Sequence, residues 1–252
     1  MAIVDTHAHY LAEDFGEELI PLIEAMPANG IDKIVAVGYN IQSSEEEIRL
    51  SERFPYVFAA AGVHPENCND LPLDWLEQIE RLAQNERVVS VGEIGLDYHY
   101  GGEDRELQKR VFAEQLVLSK RIGKPVIIHS RDACEDTMAI LREYRPEGVL
   151  HCFSGSAETA AEVVKLGMYV GFTGVLTFKN AKKALSACEA VPLDRLLLET
   201  DCPYMAPVPH RGKRCDSTML RYTAEKMAEI KGVSFEEICR ITSENAERLF
   251  RI

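Results

Sequence analysis

The sequence predicts a (β/α)8 TIM barrel, an α/β fold, and three observations support this prediction. Short apolar segments rich in β-forming residues alternate with longer amphipathic segments along the whole chain. The apolar segments are nearly continuous rather than alternating with polar residues, as in parallel strands that are buried on both faces. The chain has 252 residues, which suits eight strand–helix units in one barrel.

The first half of the chain contains four predicted strands, each a run of small or β-branched residues that ends at polar residues. They are IVDTHAH (3–9), KIVAVGY (33–39), VFAAAGVH (57–64) and VVSVGEIG (88–95). In the segments that follow these strands, apolar residues recur with the helical period of about 3.6. We expect helices there at 17–26, 43–54, 73–85 and 105–123.

The second half repeats the pattern with four further predicted strands, which are PVIIHS (125–130), GVLHCF (148–153), YVGFTG (169–174) and RLLLETD (195–201). Helices are predicted at 135–144, 156–167, 180–190, 217–231 and 234–250. An open doubly wound sheet is the competing architecture, and the lack of a GxGxxG motif after the first strand weakens it. No linker or low-complexity segment divides the chain, so residues 1–252 are predicted to form one domain.

Composition limits the class of protein. Hydrophobic residues make up 46% of the chain and charged residues 27%, a balance typical of soluble globular proteins. No apolar run is long enough to cross a bilayer, and the amino terminus lacks the features of a signal peptide, so we expect a cytoplasmic protein. The seven cysteines form no CxxC pair and are interpreted as reduced thiols.

The charge balance is acidic. Asp and Glu number 41 against 28 Lys and Arg, which gives a formal charge of −13. A protein that coats long nucleic acids relies on a broad basic surface, so this class is disfavoured. A pocket that takes one nucleic-acid strand end or one small phosphoester is compatible with the charge, because only the local charge matters there. The sequence indicates neither a membrane nor an obligate protein partner.

Side chains that can bind metals stand at the carboxyl ends of the predicted strands. His7 and His9 end the first strand, and side chains two residues apart in a strand point to the same face. Further predicted strands end at His64, Glu93, His129, His151, Glu199 and Asp201. In a barrel these strand ends form one rim, where active sites are built. We therefore expect residues that are far apart in sequence to meet in one small volume.

The residue types at this rim predict a site for divalent metal ions. Imidazole nitrogens and carboxylate oxygens bind Zn²⁺, Mn²⁺ and Mg²⁺, so the identity of the metal stays open. The candidate metal ligands are His7, His9, Glu93, His129, His151 and Asp201. They can hold two ions if Glu93 bridges them, and two ions about 3.5–4 Å apart can activate a water and bind an oxyanion. Asp201 can also take the proton from the attacking water, so Glu93 and Asp201 are the candidate catalytic residues.

Six motifs occur along the chain in a recognisable order: DTHAH, GVHP, GEIGLDYH, IIHSRDA, HCFSG and LETDCPYMAP. Together they resemble the TatD family of metal-dependent deoxyribonucleases, which belongs to the amidohydrolase-like barrels. The resemblance implies a two-metal centre that hydrolyses phosphodiester bonds, with 3′ to 5′ exonuclease activity on DNA in several members. It also implies that His64 lies near the substrate phosphate. The implied ligand sets are His7, His9, Glu93 and Asp201 for one ion, and Glu93, His129 and His151 for the other.

A basic loop follows the eighth predicted strand in the segment VPHRGKRC (208–215). Arg211 and Lys213 are candidates for contacts with a substrate phosphate, because a basic loop beside the rim can receive an anion. A solvated surface loop is the alternative interpretation. The family commonly has an Asn-Glu-Pro-like ending after this segment, whereas this chain has Cys-Asp-Ser at 215–217. This departure leaves the metal ligands unchanged and the substrate preference open.

Two other functions are compatible with the same residues. The first is hydrolysis of a carbonyl ester or amide, for example an aminoacyl-tRNA ester or a lactone, because a metal centre of this kind also suits a carbonyl group. The second is a barrel that binds a metal or a partner without catalysis, and the presence of Asp201 disfavours it. The main prediction is therefore a metal-dependent deoxyribonuclease.

Overall fold

Eight parallel strands form a nearly closed barrel in the computed structural model, which describes residues 3–99 and 104–252. Each strand pairs with the next strand in the chain, and every pair is parallel. The predicted (β/α)8 barrel is therefore confirmed. The strands are β1 (Ile3–Ala8), β2 (Ile31–Val37), β3 (Val57–Ala61), β4 (Val88–Asp97), β5 (Val126–Arg131), β6 (Gly148–Leu150), β7 (Tyr169–Phe172) and β8 (Leu196–Leu198).

The helices lie between and after the strands. They are α1 (Ala12–Phe15), α2 (Leu19–Ala25), α3 (Ile41–Arg53), α4 (Trp75–Ala83), α5 (Arg105–Ile122), α6 (Cys134–Tyr144), α7 (Ala157–Lys165), α8 (Lys182–Ala190), α9 (Leu220–Lys231) and α10 (Phe235–Phe250). Short 3-10 helices occur at Gly16–Glu18, Pro27–Asn29, Pro65–Asn67, Gly174–Thr177, Leu193–Arg195 and Ser217–Met219. Among the described residues, no helix is both long enough and apolar enough to cross a membrane.

Most helices match their predicted positions, and the main difference lies near the start of the chain. The predicted helix at 17–26 corresponds to α2 alone, and the shorter α1 precedes it. Gly16 separates the two helices with a φ of 54°. This positive φ interrupts a right-handed helix and is a conformation that glycine adopts at little cost.

The first and last strands meet at the rim that carries the candidate ligands. Ala8 and Cys202 form an isolated parallel bridge. The His9 N–H donates to the Cys202 carbonyl over 2.8 Å, and the Asp201 N–H donates to the His7 carbonyl over 2.9 Å. These bonds join residues that are almost 200 positions apart. Closure of the barrel therefore also assembles one part of the candidate site.

Several strands end earlier than predicted, and the candidate ligands stand just beyond them. His64 lies after β3, where it is the N-cap of the 3-10 helix that follows. β6 ends at Leu150 and β8 at Leu198, and beyond these ends Cys152, with φ 45°, and Asp201, with φ 60°, adopt left-handed conformations that a strand excludes. By contrast, β4 is longer than predicted and runs to Asp97, and its pairing with β5 is irregular around Glu93.

The barrel interior holds a hydrophobic cluster to which every strand contributes. The strand members are Val4, Val35, Val37, Ala60, Val89, Ile127, Val149, Tyr169 and Leu197. The end of α10 packs onto this cluster through Ala246, Leu249 and Phe250. Most of the strand members lie near the first residue of their strand, so α10 covers the amino end of the barrel, opposite to the rim with the candidate ligands.

Candidate metal centre

Four side chains converge where β1 meets the segment after β8. His7 Nε2 and His9 Nε2 lie 3.1 Å apart. Glu93 Oε2 lies 3.5 Å from His7 Nε2 and 3.7 Å from His9 Nε2. Asp201 Oδ1 lies 3.6 Å from each of the same two nitrogens. We call these four residues the first ligand group. His7 and His9 point to the same side, as their spacing predicted, and their role as metal ligands stays a prediction.

A second ligand group, formed by Glu93, His129 and His151, lies on the side of β5 and β6. Glu93 Oε1 lies 2.9 Å from His129 Nδ1 and 2.7 Å from His151 Nε2. The two histidine nitrogens are 3.3 Å apart. His151 also joins the two groups sterically, because its ring stacks on that of His7 with centroids 4.0 Å apart.

Glu93 belongs to both ligand groups. Its Oε2 faces the first group and its Oε1 faces the second, and the residue is buried. The backbone is held here by a hydrogen bond from the Glu93 N–H to the Gly38 carbonyl over 2.8 Å, which ties the irregular part of β4 to the end of β2. A carboxylate that offers one oxygen to each of two groups has the arrangement expected of a bridging ligand.

Hydrogen bonds behind two of the histidines determine which nitrogen faces the centre. His9 Nδ1 lies 2.6 Å from the Val37 carbonyl, so this nitrogen donates to the carbonyl and Nε2 is directed to the centre. His129 Nε2 lies 2.9 Å from Asp97 Oδ2, so here Nδ1 is directed to the centre. Metal-ligating histidines typically have their other nitrogen bonded to a carbonyl or a carboxylate in this way.

A buried carboxylate, Glu199, lies behind His151. Its Oε1 is 3.8 Å from His151 Nδ1 and accepts a hydrogen bond from the Cys152 N–H. Gly171 leaves space for this carboxylate, because a Cβ at that position would come within 2.2 Å of Glu199 Oε2. Burial raises the pKa of Glu199 to about 8. Asp97 therefore holds His129 through a hydrogen bond, whereas Glu199 lies near His151 Nδ1 beyond hydrogen-bond distance.

Burial disfavours the charged form of every ionisable group in the centre. Contacts with neighbouring groups decide whether the pKa finally rises or falls. Burial lowers the pKa of His7 to about 4. Burial also disfavours the charged forms of His9 and His129, but the carboxylates that contact them raise both pKa values to about 9. Burial would raise the pKa of Glu93, but the surrounding histidines lower it well below its ordinary value. Glu93 is therefore an anion that is surrounded by imidazoles.

The donor set fits divalent metal ions. Donor atoms bound to one tetrahedral ion lie roughly 3 to 4 Å apart. The distances from His7 and His9 to their partners in the first group range from 3.1 to 3.7 Å. His9 Nε2 and His7 Nε2 face each other over 3.1 Å, and a cation bound between them would be held by both nitrogens. In the described part of the chain, three sets of histidine and carboxylate ligands that could hold a metal ion all fall in this centre.

His64 stands at the edge of the second ligand group but is bonded differently from the predicted ligands. Its Nδ1 accepts a hydrogen bond from the Glu66 N–H over 3.2 Å, so the neutral ring carries its proton on Nε2. That nitrogen lies 3.7 Å from Glu93 Oε1. Burial lowers the pKa of His64 to about 3, which keeps the ring neutral. His64 thus presents an N–H donor to the centre, and its contact with substrate stays a prediction.

The cations of the predicted phosphate-binding loop differ in their surroundings. The Arg211 guanidinium lies 3.9 Å from the centroid of the Phe178 ring. Arg214 is directed away from the loop toward the segment after α1, where it pairs with Glu18. Lys213 is exposed. The substrate contacts of Arg211 and Lys213 stay predictions.

Two carboxylates near the second ligand group have positions that the sequence alone does not show. Asp97 orients His129, and Glu199 lies behind His151. Asp97 is four residues after Glu93, and Glu199 is two residues before Asp201. Residues at an even spacing point to one side of a strand. That signal was visible in the sequence. It does not separate a supporting carboxylate from a metal ligand, because only the contacts make that distinction.

The fold and the centre together define a metal-dependent hydrolase on a (β/α)8 barrel. The crystal structure of YJJV, a TatD homolog from Escherichia coli K12, matches with a TM-score of 0.92 and 29% identity, covering 99% of this chain and 98% of that chain. The metal-dependent hydrolase YabD of Bacillus subtilis is 44% identical over 253 residues, 99% of each chain. The 3′-5′ ssDNA/RNA exonuclease TatD of Pectobacterium parmentieri is 32% identical over 88% of this chain and 89% of its own.

The family model described as TatD related DNase matches residues 4–251. The chain therefore belongs to the TatD-related DNase family and is a metal-dependent hydrolase of the TatD type. This confirms the resemblance that the six sequence motifs indicated.

Proposed function

We propose that this hydrolase is a two-metal exonuclease that cleaves phosphodiester bonds at the 3′ end of DNA. The observation that carries the proposal is the position of Glu93, whose two oxygens face two separate ligand groups. Nucleases and phosphatases use pairs of ions about 3.5–4 Å apart to stabilise the attacking and leaving oxygens. The name of the Pectobacterium relative, a 3′-5′ ssDNA/RNA exonuclease, supports the same substrate class.

In this proposal the two ligand groups hold one ion each, and Glu93 is shared. Mg²⁺, Mn²⁺ and Zn²⁺ are the candidates, because the groups combine imidazole nitrogens with carboxylate oxygens. When bound, such ions supply a water of lowered pKa and compensate the negative charge of the phosphate. The protein provides the orientation of the ligands through the hydrogen bonds of His9 and His129.

Four side chains would act on the attacking water or on the substrate. Asp201 borders the first ligand group, and its pKa is lowered because contacts with histidines, His9 above all, outweigh the effect of burial. An ionised carboxylate there accepts the proton of the attacking water. His64 donates its Nε2 hydrogen to a non-bridging phosphate oxygen, a role that its neutral state allows. Arg211 and Lys213 would bind the phosphate of a neighbouring nucleotide.

The test combines metal analysis with a substrate panel. The purified protein, saturated with Mn²⁺ and freed of excess ions, is expected to hold two ions per chain by elemental analysis. It is also expected to release mononucleotides from the 3′ end of single-stranded DNA, and removal of metal by EDTA should abolish this release. A protein that holds two ions but hydrolyses only carboxylic esters, lactones or amides would contradict the nuclease assignment and favour a carbonyl hydrolase. A cytoplasmic location and the lack of an obligate protein partner stay predictions.

A further inference from the structure

Three exposed apolar side chains lie together in sequence, on the loop that follows β8. Tyr204 is 59% exposed, Met205 37% and Val208 44%. Large apolar side chains are seldom this exposed elsewhere in the described chain, where Leu73 and Val117 are the others. The Tyr204 ring lies beside the metal centre, with its centroid 6.5 Å from that of His9. The exposed ring therefore borders the site at which substrate would bind.

The backbone that carries Tyr204 is held in place at several points. The Tyr204 N–H donates to the Asp201 carbonyl over 2.9 Å, which ties the ring to the predicted catalytic residue. The adjacent Pro203 carbonyl accepts a hydrogen bond of 2.9 Å from the Cys215 N–H. Further along, the Val208 N–H donates to Thr177 Oγ1 over 2.8 Å. The exposure of the ring is thus a property of a fixed loop, not of a segment that lacks contacts.

A second tyrosine lies against the same histidine. Tyr39 follows β2, and its ring centroid is 5.9 Å from that of His9. Its hydroxyl donates to Glu13 Oε1 over 2.7 Å, which restrains the ring. His9 therefore has an aromatic ring from the end of β2 and another from the loop after β8. Both rings lie on the side of the first ligand group.

The negative charges around these two tyrosine rings favour contact with an uncharged part of the substrate. Partial burial, followed by the carboxylates of Asp14, Asp201 and Glu13, raises the pKa of Tyr204. Asp14 and Glu13 lie outside both ligand groups and repel phosphate groups, so a polyanionic backbone is disfavoured beside the Tyr204 ring. A nucleobase is uncharged and has an aromatic face, which stacks well on tyrosine. A patch of three side chains is also far smaller than a stable protein interface requires.

We propose that Tyr204, with Tyr39 beside it, is the stacking platform for the base of the terminal nucleotide. The inference rests on the proposed nuclease function and narrows its substrate to strands whose last base is unstacked. In a blunt duplex the terminal base is paired and stacked on its neighbour, so its faces are not both available. The base of an unpaired 3′ end would therefore stack on the exposed Tyr204 ring, while its phosphate lies at the ligand groups.

The test removes the Tyr204 ring from the protein and the 3′-terminal base from the oligonucleotide, first separately and then together. Tyr204→Ala and Tyr204→Phe are compared with wild type on an oligonucleotide with a normal 3′ nucleotide and on one with an abasic 3′ residue. We expect Tyr204→Ala to lower kcat/KM about 10-fold on the normal end and less than about 2-fold on the abasic end, since stacking on an aromatic side chain contributes about 5- to 150-fold per base. Tyr204→Phe should stay within about 2-fold of wild type on both. Leu73→Ala, at an exposed site, is the matched control.

A binding measurement separates this proposal from the nuclease proposal. An oligonucleotide with a 3′-terminal 2-aminopurine is mixed with Mn²⁺-loaded Asp201→Asn protein, with and without the additional Tyr204→Ala change. Loss of the 2-aminopurine fluorescence change in the double variant supports the platform, even where wild type cleaves no DNA and the nuclease proposal fails. Equal losses of kcat/KM on normal and abasic ends would overturn the stacking proposal, and so would an unaltered fluorescence change in the double variant. In either case, cleavage of DNA by the wild-type protein would still support the nuclease proposal.

Discussion

Two layers of the barrel interior differ sharply although only two residues separate them along the chain at β5, β6 and β8. Nearer the amino ends of the strands, apolar side chains pack together and against α10. Two residues further along the chain, on the same face, imidazoles and carboxylates converge. The pairs that show this step are Ile127 and His129, Val149 and His151, and Leu197 and Glu199. We call the two levels the apolar layer and the ligand layer.

The comparison teaches that strand geometry alone does not decide what a buried position does. Side chains at i and i+2 share one face of a strand, so both layers have the same backbone framework. The apolar layer contributes stability because it removes hydrocarbon from water. The ligand layer places charged and polar groups where their burial is costly unless they are paired or bind a cation. Function and stability should therefore be separable by substitutions at different depths of one barrel.

The largest expected effect concerns the ligand layer. In the proposed mechanism, Asp201→Asn removes the carboxylate that accepts the proton of water, and kcat/KM on single-stranded DNA is expected to fall about 10²- to 10⁴-fold. Asp194→Asn, on the exposed turn before β8, is the matched control and should retain full activity. Steady-state assays with added Mn²⁺ measure both variants. Wild-type activity in Asp201→Asn would remove this residue from the mechanism.

The second prediction concerns the apolar layer. Phe250 is 3% exposed in the cluster at the end of α10, and Phe250→Ala is expected to lower the free energy of unfolding by about 3–5 kcal/mol through lost burial and a cavity. Activity per folded molecule should not change, because the ligand layer is untouched. Val117→Ala on the surface should cost less than about 0.5 kcal/mol. Denaturant unfolding and an activity assay at low temperature make the measurement. A loss of activity in folded Phe250→Ala would mean that the layers are coupled.

The third prediction tests the support of the ligand layer. Asp97→Asn weakens the hydrogen bond that orients His129, so affinity for the metal of the second ligand group is expected to fall about 10- to 100-fold. Asp132→Asn is a matched control, because Asp132 Oδ2 lies 2.8 Å from Nδ1 of the exposed His99. Titration against a chelator measures the affinity of both variants. Equal affinities in the two variants would assign Asp97 a role other than orienting a ligand.

The last prediction concerns pH dependence, through a buried carboxylate outside both layers. Glu47 in α3 accepts a hydrogen bond from the Tyr10 N–H over 2.7 Å, and its Oε2 has no partner among the described residues. Burial raises the pKa of Glu47 to about 8, whereas an unfolded glutamate has a pKa of about 4.3. The folded protein thus keeps a proton that the unfolded chain loses. Its stability should fall, by at most about 1.4 kcal/mol per pH unit, as pH rises from about 4.3 to 8.

Glu47→Gln should remove this pH dependence, since the amide does not ionise. The difference in unfolding free energy between Glu47→Gln and wild type is expected to grow in favour of the variant from pH 5 to pH 8. Glu45→Gln, at an exposed position of the same helix, should leave the pH dependence as in wild type. Parallel stability curves for Glu47→Gln and wild type would show that Glu47 is ionised in the folded state.

Much of the centre was predictable because strand and barrel geometry are local rules applied repeatedly. The spacing of His7 and His9 predicted their convergence, and the position of Glu93 predicted a bridge. The role of Asp97 was not predictable, because an aspartate at the end of a strand can equally cap a helix, bind a metal or orient a neighbour. The predicted ends of β6 and β8 were also wrong, since no residue type marks the left-handed conformations of Cys152 and Asp201.

The sequence by itself determined the fold class, the family and the ligand types, because hydrophobic periodicity and residue chemistry are written along the chain. Tertiary structure alone decided which nitrogen of His9 and of His129 faces the centre and which oxygen of Glu93 serves each ligand group. The physical reason is that the proton position on an imidazole depends on its hydrogen-bond partner. Those partners lie on other strands, and they become neighbours only when the barrel closes.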